Sequence, residues 1–357
     1  MERAVATYLE PQARLAIYAE GEFGKKHAKT AEGVIRYGRN PVAAVIDSAK
    51  SGATVREAVG LNCDAPIVAS VGDSLKHSPS ALLLGTAWTG GALPAHWRKD
   101  IIQALESGMD IVNGLHDFLE NDAEISAVAK RHGRRLFDVR KPPVPLPVGA
   151  GLAKDLKQHV ILTVGTDCSV GKMTASLELD AEAQRRGKRS KFIATGQTGI
   201  MICGEGIAID RVIGDFMAGA TEQMVMDAAK DHDYIFVEGQ GSLSHPGFSG
   251  VSLALIHGSA PKTMILVTKA TKTNICELPL PLPSLTTTIK ANEHMASLLR
   301  PAKVVGIAMN TWGMSKEDAD RAIQQAREET GLPCQDPVRD GVKELFDAII
   351  ANEENSK

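Results

Sequence analysis

At 357 residues, 43% hydrophobic and with a formal net charge of -3, the chain is long enough for two cores and lacks the basic footprint that nucleic acid or an anionic membrane would require. Its five cysteines (Cys63, Cys168, Cys203, Cys276, Cys334) fit no metal spacing and are odd in number, which points to reduced thiols rather than a disulfide framework. The opening MERAVATYLEPQ has no secretory pattern and no run approaches the roughly 18 apolar residues of a membrane span, so a soluble cytoplasmic protein is expected.

In chain order, RLAIYA (14–19) predicts a first strand, followed by a Gly-containing loop and a helix ending near Gly38. VAAVID (42–47) predicts a second strand, whose Asp47 stands where a dinucleotide fold keeps its ribose-binding acid. The loop after the first strand has only Gly21 and Gly24, so the G-x-G-x-x-G of NAD binding is missing. PIVASV (66–71), ALLLGT (81–86) and DIVNGL (110–115) then alternate with helical segments such as HWRKDIIQALESG and DAEISAVAKRHG. Repeated β-then-α order implies a parallel sheet covered by helices. GTAWTGGALP (85–94) and NGLHDFL (113–119) leave such strands at their carboxyl ends, where open α/β sheets bind ligands.

RKPPVPLPVGAG (140–151) holds four prolines and no periodic pattern, and reads as a linker. The expected fold is α/β: a Rossmann-like parallel-sheet domain over 1–141, the linker at 142–151, and a P-loop NTPase-like domain over 152–357. A cleft between two such domains is a common place for a small-molecule site.

The stretch HVILTVGTDCSVGKMT (159–174) organises the second half. An apolar strand ends in a loop, Gly165, Thr166, Asp167, Cys168, Ser169, Val170, Gly171, and Lys172, Met173 and Thr174 open a helix. Backbone N–H groups and the positive helix end bind phosphate in such a loop, and the lysine adds a movable charge. Two positions depart from the standard pattern. Thr166 takes the first glycine slot, and Met173 takes the slot whose hydroxyl normally binds Mg²⁺; Thr174 lies about 100° further round the helix. A ligand whose phosphates need no metal suits this loop better than a hydrolysed nucleotide does. No metal site is expected.

Further on, SKFIATGQTGIMI (190–202) predicts a strand with a polar exit at Thr195–Gly199, and RVIGDFMAGATEQMVMDAAKDH predicts a helix with Met217, Met224 and Met226 as core filling. DYIFVEGQGSLSHPG (233–247) ends an apolar strand in Glu238, then presents Ser242, Ser244 and His245. Glu238 and His245 are the candidate catalytic bases, because a Gly-flanked acid on a strand exit can take a proton if burial raises its pKa. An acyl-serine would need a strained G-x-S-x-G turn, which is absent. KTMILVTKATKTN (262–274) and KVVGIAMNT (303–311) are further strands, and SKEDADRAIQQAREETG is a helix capped by Ser315. Gln197, Lys269, His116 and Thr86 are the candidate substrate contacts; Lys272 and Arg211 are further cations able to pair carboxylates.

GTDCSVGKMT with VEGQGSLSHP and GVSLALIHGSAP, behind a half containing LLLGTAWTGGALP, resembles a two-domain P-loop family long catalogued only as a domain of unknown function. One branch of it is the D-glutamate N-acetyltransferase of bacterial D-glutamate catabolism. The resemblance implies transfer of acetyl from acetyl-CoA to the amino group of D-glutamate, with the 165–174 loop holding the coenzyme's phosphates. The GTD…VGK and VEG portions are also similar to dethiobiotin synthetase, where Thr follows the lysine; that resemblance implies ATP and Mg²⁺, as in a ligase or small-molecule kinase. A nucleotide-binding regulatory module without turnover is the third reading. Small-molecule substrates are the expected partners, and a homo-oligomer is the usual state for such an enzyme.

Overall fold

The computed structural model describes residues 9–86 and 91–355. Residues 1–8, within the opening stretch, and 87–90, within the GTAWTGGALP loop, lie outside the described residues. The chain divides into two compact units: Met1–Pro143 with Gln197–Ala208, and Val144–Gly196 with Ile209–Lys357. Each is built on a six-stranded parallel sheet, as the alternation of apolar runs and helical segments predicts.

The first unit contains β1 (Leu15–Tyr18), α1 (Lys29–Tyr37), β2 (Val42–Ile46), α2 (Val55–Val59), β3 (Ile67–Val68), α3 (Val71–Ser74), β4 (Ala81–Leu84), α4 (Arg98–Glu106), β5 (Asp110–Asn113), α5 (Ala123–Arg131) and β6 (Leu136–Asp138). Its strand order, β3-β2-β1-β4-β5-β6, is that of the Rossmann fold, which places the switch point between the exits of β1 and β4. The strand predicted at 66–71 is cut to two residues because Ser70 caps α3, its hydroxyl accepting the Asp73 N–H at 3.1 Å. Tyr18, Leu82, Leu84, Trp97, Ile101 and Ile111 form the core on one face of the sheet. Each such buried side chain contributes about 1.5–3 kcal/mol of transfer free energy. Asp47 uses both carboxylate oxygens on the backbone, accepting from Phe23 N and Ala49 N, each at 3.0 Å, so it braces the β1 exit instead of offering itself to a ribose.

The second unit contains β7 (His159–Gly165), α6 (Lys172–Arg185) and β8 (Ser190–Ile193). After β8 the expected single strand exit does not run on to Ile202. The chain leaves this unit and forms α7 (Gln197–Cys203), which packs with α1 in the first unit, burying Ile200, Met201 and Ile202 and joining Thr198 Oγ1 to Thr30 Oγ1 at 2.9 Å. It returns at Ile209, whose N–H donates to Thr195 O at 3.0 Å. There follow α8 (Gly214–Ala228), β9 (Tyr234–Val237), α9 (Ser249–Ser259), β10 (Thr263–Lys269), α10 (Leu285–Ser297), β11 (Lys303–Asn310), α11 (Lys316–Thr330), β12 (Cys334–Gln335) and α12 (Lys343–Asn355). The order β12-β11-β10-β7-β9-β8 flanks β7 with β9 and β10.

Phe236, Leu179, Ile265, Leu345 and Phe346 fill one side of this second sheet. Met224 is buried in the same unit, while Met217 and Met226 are half-buried. Ser315 caps α11 as expected, accepting the Asp318 N–H at 3.1 Å. Residues 144–151, expected as a free linker, belong to the second unit: Ala150 N and Leu152 N donate to the Glu222 carboxylate at 3.1 and 2.7 Å. No disulfide joins cysteines among the described residues, and no described helix is long and apolar enough to cross a membrane.

Candidate active site

Because every strand of the second sheet runs the same way, the exits of β9, β7, β10 and β11 lie side by side at its carboxyl edge. That brings the P-loop, the Glu238 loop and the Lys269–Lys272 segment onto one rim, although they are distant in sequence.

The loop from Gly165 to Gly171 turns through two left-handed positions, Ser169 (φ +56°) and Gly171 (φ +112°). No side chain caps the start of α6. The first-turn N–H groups of a helix have no intrahelical acceptor, so this end is available to an anion. Lys172 is buried, and its Nζ donates to Asp167 O at 2.7 Å. Burial lowers the Lys172 pKa to about 8 against the opposing pull of nearby acidic groups. Met173 and Thr174 are half-buried. Thr166 Oγ1 donates to Thr268 Oγ1 at 3.1 Å, and Val170 is fully buried, so these two hold the loop from behind.

Asp167 is an anchor as well as a residue of the loop. Its carboxylate is fully buried, accepts from Cys168 N at 2.7 Å and Cys276 N at 2.6 Å, and pairs with Lys272 Nζ at 2.5 Å. Lys272 also donates to Cys168 O at 3.1 Å. Lys272 therefore ties the β10 exit to the P-loop. Burial pushes the Cys168 thiol up to about 11, so it is protonated at neutral pH.

Glu238 leaves β9 directly beside β7, as the pattern predicts, and is 4% exposed. Its carboxylate accepts from Thr195 N at 3.0 Å and Gly196 N at 3.2 Å. Desolvation outweighs these bonds and the Lys172 charge, and raises its pKa from the ordinary 4.5 to about 7. The two donors were missed because they are main-chain groups; the Thr-Gly at the end of a strand is the only signal they leave in a sequence.

Gly239, next in the chain, has a backbone reason to be glycine. A Cβ there would lie 1.7 Å from Thr163 O and 3.0 Å from Lys172 Cδ. Its N–H donates to Thr163 Oγ1 at 3.0 Å, which closes β7 and the Glu238 loop together. Gly239→Ala is expected to destabilise the protein by about 1–3 kcal/mol through overpacking, read as a lowered Tm in calorimetry. A melting curve unchanged from wild type would contradict this junction.

His245 is built differently from a free base. Its Nδ1 accepts the Gly247 N–H at 3.1 Å, its Nε2 faces Cys276 O at 3.3 Å, and its ring lies 4.5 Å from that of Phe248. A backbone donor on Nδ1 and a carbonyl at Nε2 occupy both nitrogens. Glu238 thus carries a buried carboxyl with a raised pKa, whereas both ring nitrogens of His245 face main-chain groups of its own loop and of Cys276. Ser242 donates to Thr166 O at 3.0 Å and neighbours Ser244 at 3.3 Å, tying this loop to the P-loop. Atoms of Asp167, Cys168 and His245 come within 4.8 Å of one another, the spacing of a metal cluster. Lys272 Nζ already pairs with one carboxylate oxygen of Asp167 in this cluster.

The candidate substrate contacts divide between the units. Lys269 ends β10 in the second unit, and its Nζ sits 5.6 Å from the centre of the Trp312 ring. Thr86, His116 and Gln197 belong to the first. Thr86 is buried at the β4 exit, and among the described residues its hydroxyl has no hydrogen-bond partner. His116 N donates to Gly91 O at 2.8 Å, and Gln197 packs over Gly114. Arg211 is exposed.

Comparison with known proteins places this geometry. A solved DUF1611 family protein from Anabaena variabilis is 43% identical, covers 95% of this chain and 100% of its own, and superposes with a TM-score of 0.92. Two curated relatives are named D-glutamate N-acetyltransferase. The one from Tritonibacter scottomollicae is 43% identical over 76% of this chain and 81% of its own; that from Pseudoalteromonas sp. is 42% identical over 79% and 84%. Residues 48–142 match the Rossmann-like domain of a family of unknown function and residues 147–346 match its P-loop domain, DUF1611. With two Rossmann-like and P-loop sheets, each matched by its own domain model, the chain belongs to the DUF1611 family.

Proposed function

We propose that this chain is an N-acetyltransferase that moves acetyl from acetyl-CoA to the amino group of D-glutamate. The observation that carries the reading is the match, over about three quarters of the chain, to two relatives bearing that name. The site supports it in two ways. An uncapped helix end and Lys172 suit phosphates, while Met173 offers no hydroxyl to Mg²⁺, so a ligand with metal-free phosphates fits the loop. Glu238, with a pKa of about 7, can hold a proton taken from an amine at neutral pH.

In this mechanism the P-loop anchors the coenzyme end of the donor. Glu238 takes a proton from the acceptor's ammonium, and the freed amine attacks the thioester carbonyl. Backbone N–H groups at the strand exits stabilise the oxyanion, the C–S bond breaks as the C–N bond is completed, and the departing sulfur takes up the second proton that the nitrogen gives up, leaving as the free thiol of the coenzyme. The nucleophile is the substrate's own amine, so no acyl-enzyme is required.

The test mixes protein, acetyl-CoA and either D- or L-glutamate, with and without EDTA, and follows free thiol. Release that depends on D-glutamate and ignores EDTA is expected. Absence of thiol release together with Mg²⁺-dependent ADP formation from ATP would replace this reading with a ligase or kinase. Nucleotide binding without either product would leave a regulatory module.

A further inference from the structure

Trp312 is 79% exposed, whereas Trp97 is 1% exposed. A large aromatic face open to water costs transfer free energy, and it is cheap to hide on a flexible loop. Here the backbone holds it out. Trp312 N donates to Asn310 Oδ1 at 3.0 Å, Thr311 N to Asp336 Oδ2 at 2.9 Å, and Met314 N to Thr311 O at 3.1 Å, while Gly313 takes φ +86°. The loop is thus pinned to Asn310 on one side and to Asp336 on the other.

Its position gives the exposure a use. Trp312 follows β11, next to β10 in the sheet, and the side chain of Asn310 lies 3.7 Å from where a Cβ on Gly171 would be. The segment that carries Trp312 therefore starts beside the phosphate loop. Lys269 Nζ sits over the ring, 5.6 Å from its centre. Lys172 and Lys269 supply positive charge along this rim, and Trp312 supplies the flat apolar surface that a phosphate-bearing heterocycle needs beside its phosphates.

We propose that Trp312 is the stacking platform for the adenine of the acyl-CoA donor, so that the rim reads the nucleotide end of the coenzyme and not only its phosphates. This rests on the acetyl-CoA reading above. Base–aromatic stacking is sequence-tolerant and needs an exposed ring, which Trp312 presents.

The experiment compares acetyl-CoA with S-acetylpantetheine, which carries the thioester but no adenosine. Trp312→Ala is expected to raise KM for acetyl-CoA by about tenfold to a hundredfold with little change in kcat, to leave KM for S-acetylpantetheine in place, and Trp312→Phe is expected to recover most of the loss. An unchanged KM for acetyl-CoA, or an equal rise for both donors, overturns the proposal. Binding is read separately from turnover: CoA should quench indole emission in the wild-type protein, pantetheine should not, and the quench should vanish in Trp312→Phe. No quench by CoA overturns the stacking role, whereas a wild-type protein that binds CoA with quenching but releases no thiol from acetyl-CoA overturns the transferase reading alone.

Discussion

Replacing Glu238 by Gln is expected to lower kcat/KM for the amino-acid acceptor by about 10²- to 10⁴-fold, the range that a positioned general base contributes. The amide keeps the shape and can still accept from Thr195 N and Gly196 N, so the loss reports proton transfer rather than collapse. The pH profile gives a second reading. In the wild type kcat/KM should rise as the carboxyl ionises near its raised value of about 7, and the rising limb should disappear in Glu238→Gln. Stability should move the other way. A carboxyl whose folded pKa is raised from 4.5 to about 7 favours the fold when protonated, and that contribution is lost as pH climbs through this window. Glu238→Gln imitates the protonated form, so it should match wild type below pH 4.5 and exceed it by up to about 3 kcal/mol above pH 7. Denaturant unfolding at pH 4 and pH 8 checks this; a variant less stable than wild type at pH 8 would show that the carboxylate is structural.

Replacing Lys172 by Ala or Met should raise KM for acetyl-CoA by about 10- to 150-fold, the equivalent of one charge-assisted hydrogen bond at about 1.5–3 kcal/mol. In the free protein this ammonium rests on Asp167 O, and a phosphate would replace that carbonyl with a stronger acceptor. Because burial lowers the lysine pKa to about 8, donor affinity should fall above that pH as the amine loses its charge. Together with Glu238 this predicts a narrow bell for kcat/KM, with limbs near 7 and near 8. An unchanged KM in Lys172→Met would remove the P-loop from donor binding.

Local pattern carried much of this site and non-local contact carried the rest. The apolar run of β7, the glycines of its loop and the helical opening at Lys172 mark the phosphate cradle without any tertiary information, and the Gly-flanked Glu238 marks a strand exit in the same way. Nothing in the chain near Asp167 reveals that Lys272, over a hundred positions away, neutralises it, or that Cys276 N closes on the same carboxylate. His245 looked like a base because its type is chemically versatile, yet the turn through Gly247 occupies one nitrogen. The two-residue strand β12 is too short for alternation to register. The helix α7 escaped notice because TGIMI is equally at home at the end of a strand or in a buried helix.

That helix also constrains how the polypeptide can mature. The first unit ends at Pro143 in sequence but lacks the segment burying Ile200, Met201 and Ile202 until residues up to Ala208 have been synthesised. A ribosome that has finished the first 143 residues has released a chain whose α1 still misses its covering helix, while β7, α6 and β8 of the other unit are being made. Domain-by-domain maturation from the N-terminus, the ordinary route for multidomain chains, is interrupted here, and a cut at the proline-rich segment would leave the first fragment without α7 and the second carrying α7 with no α1 to cover.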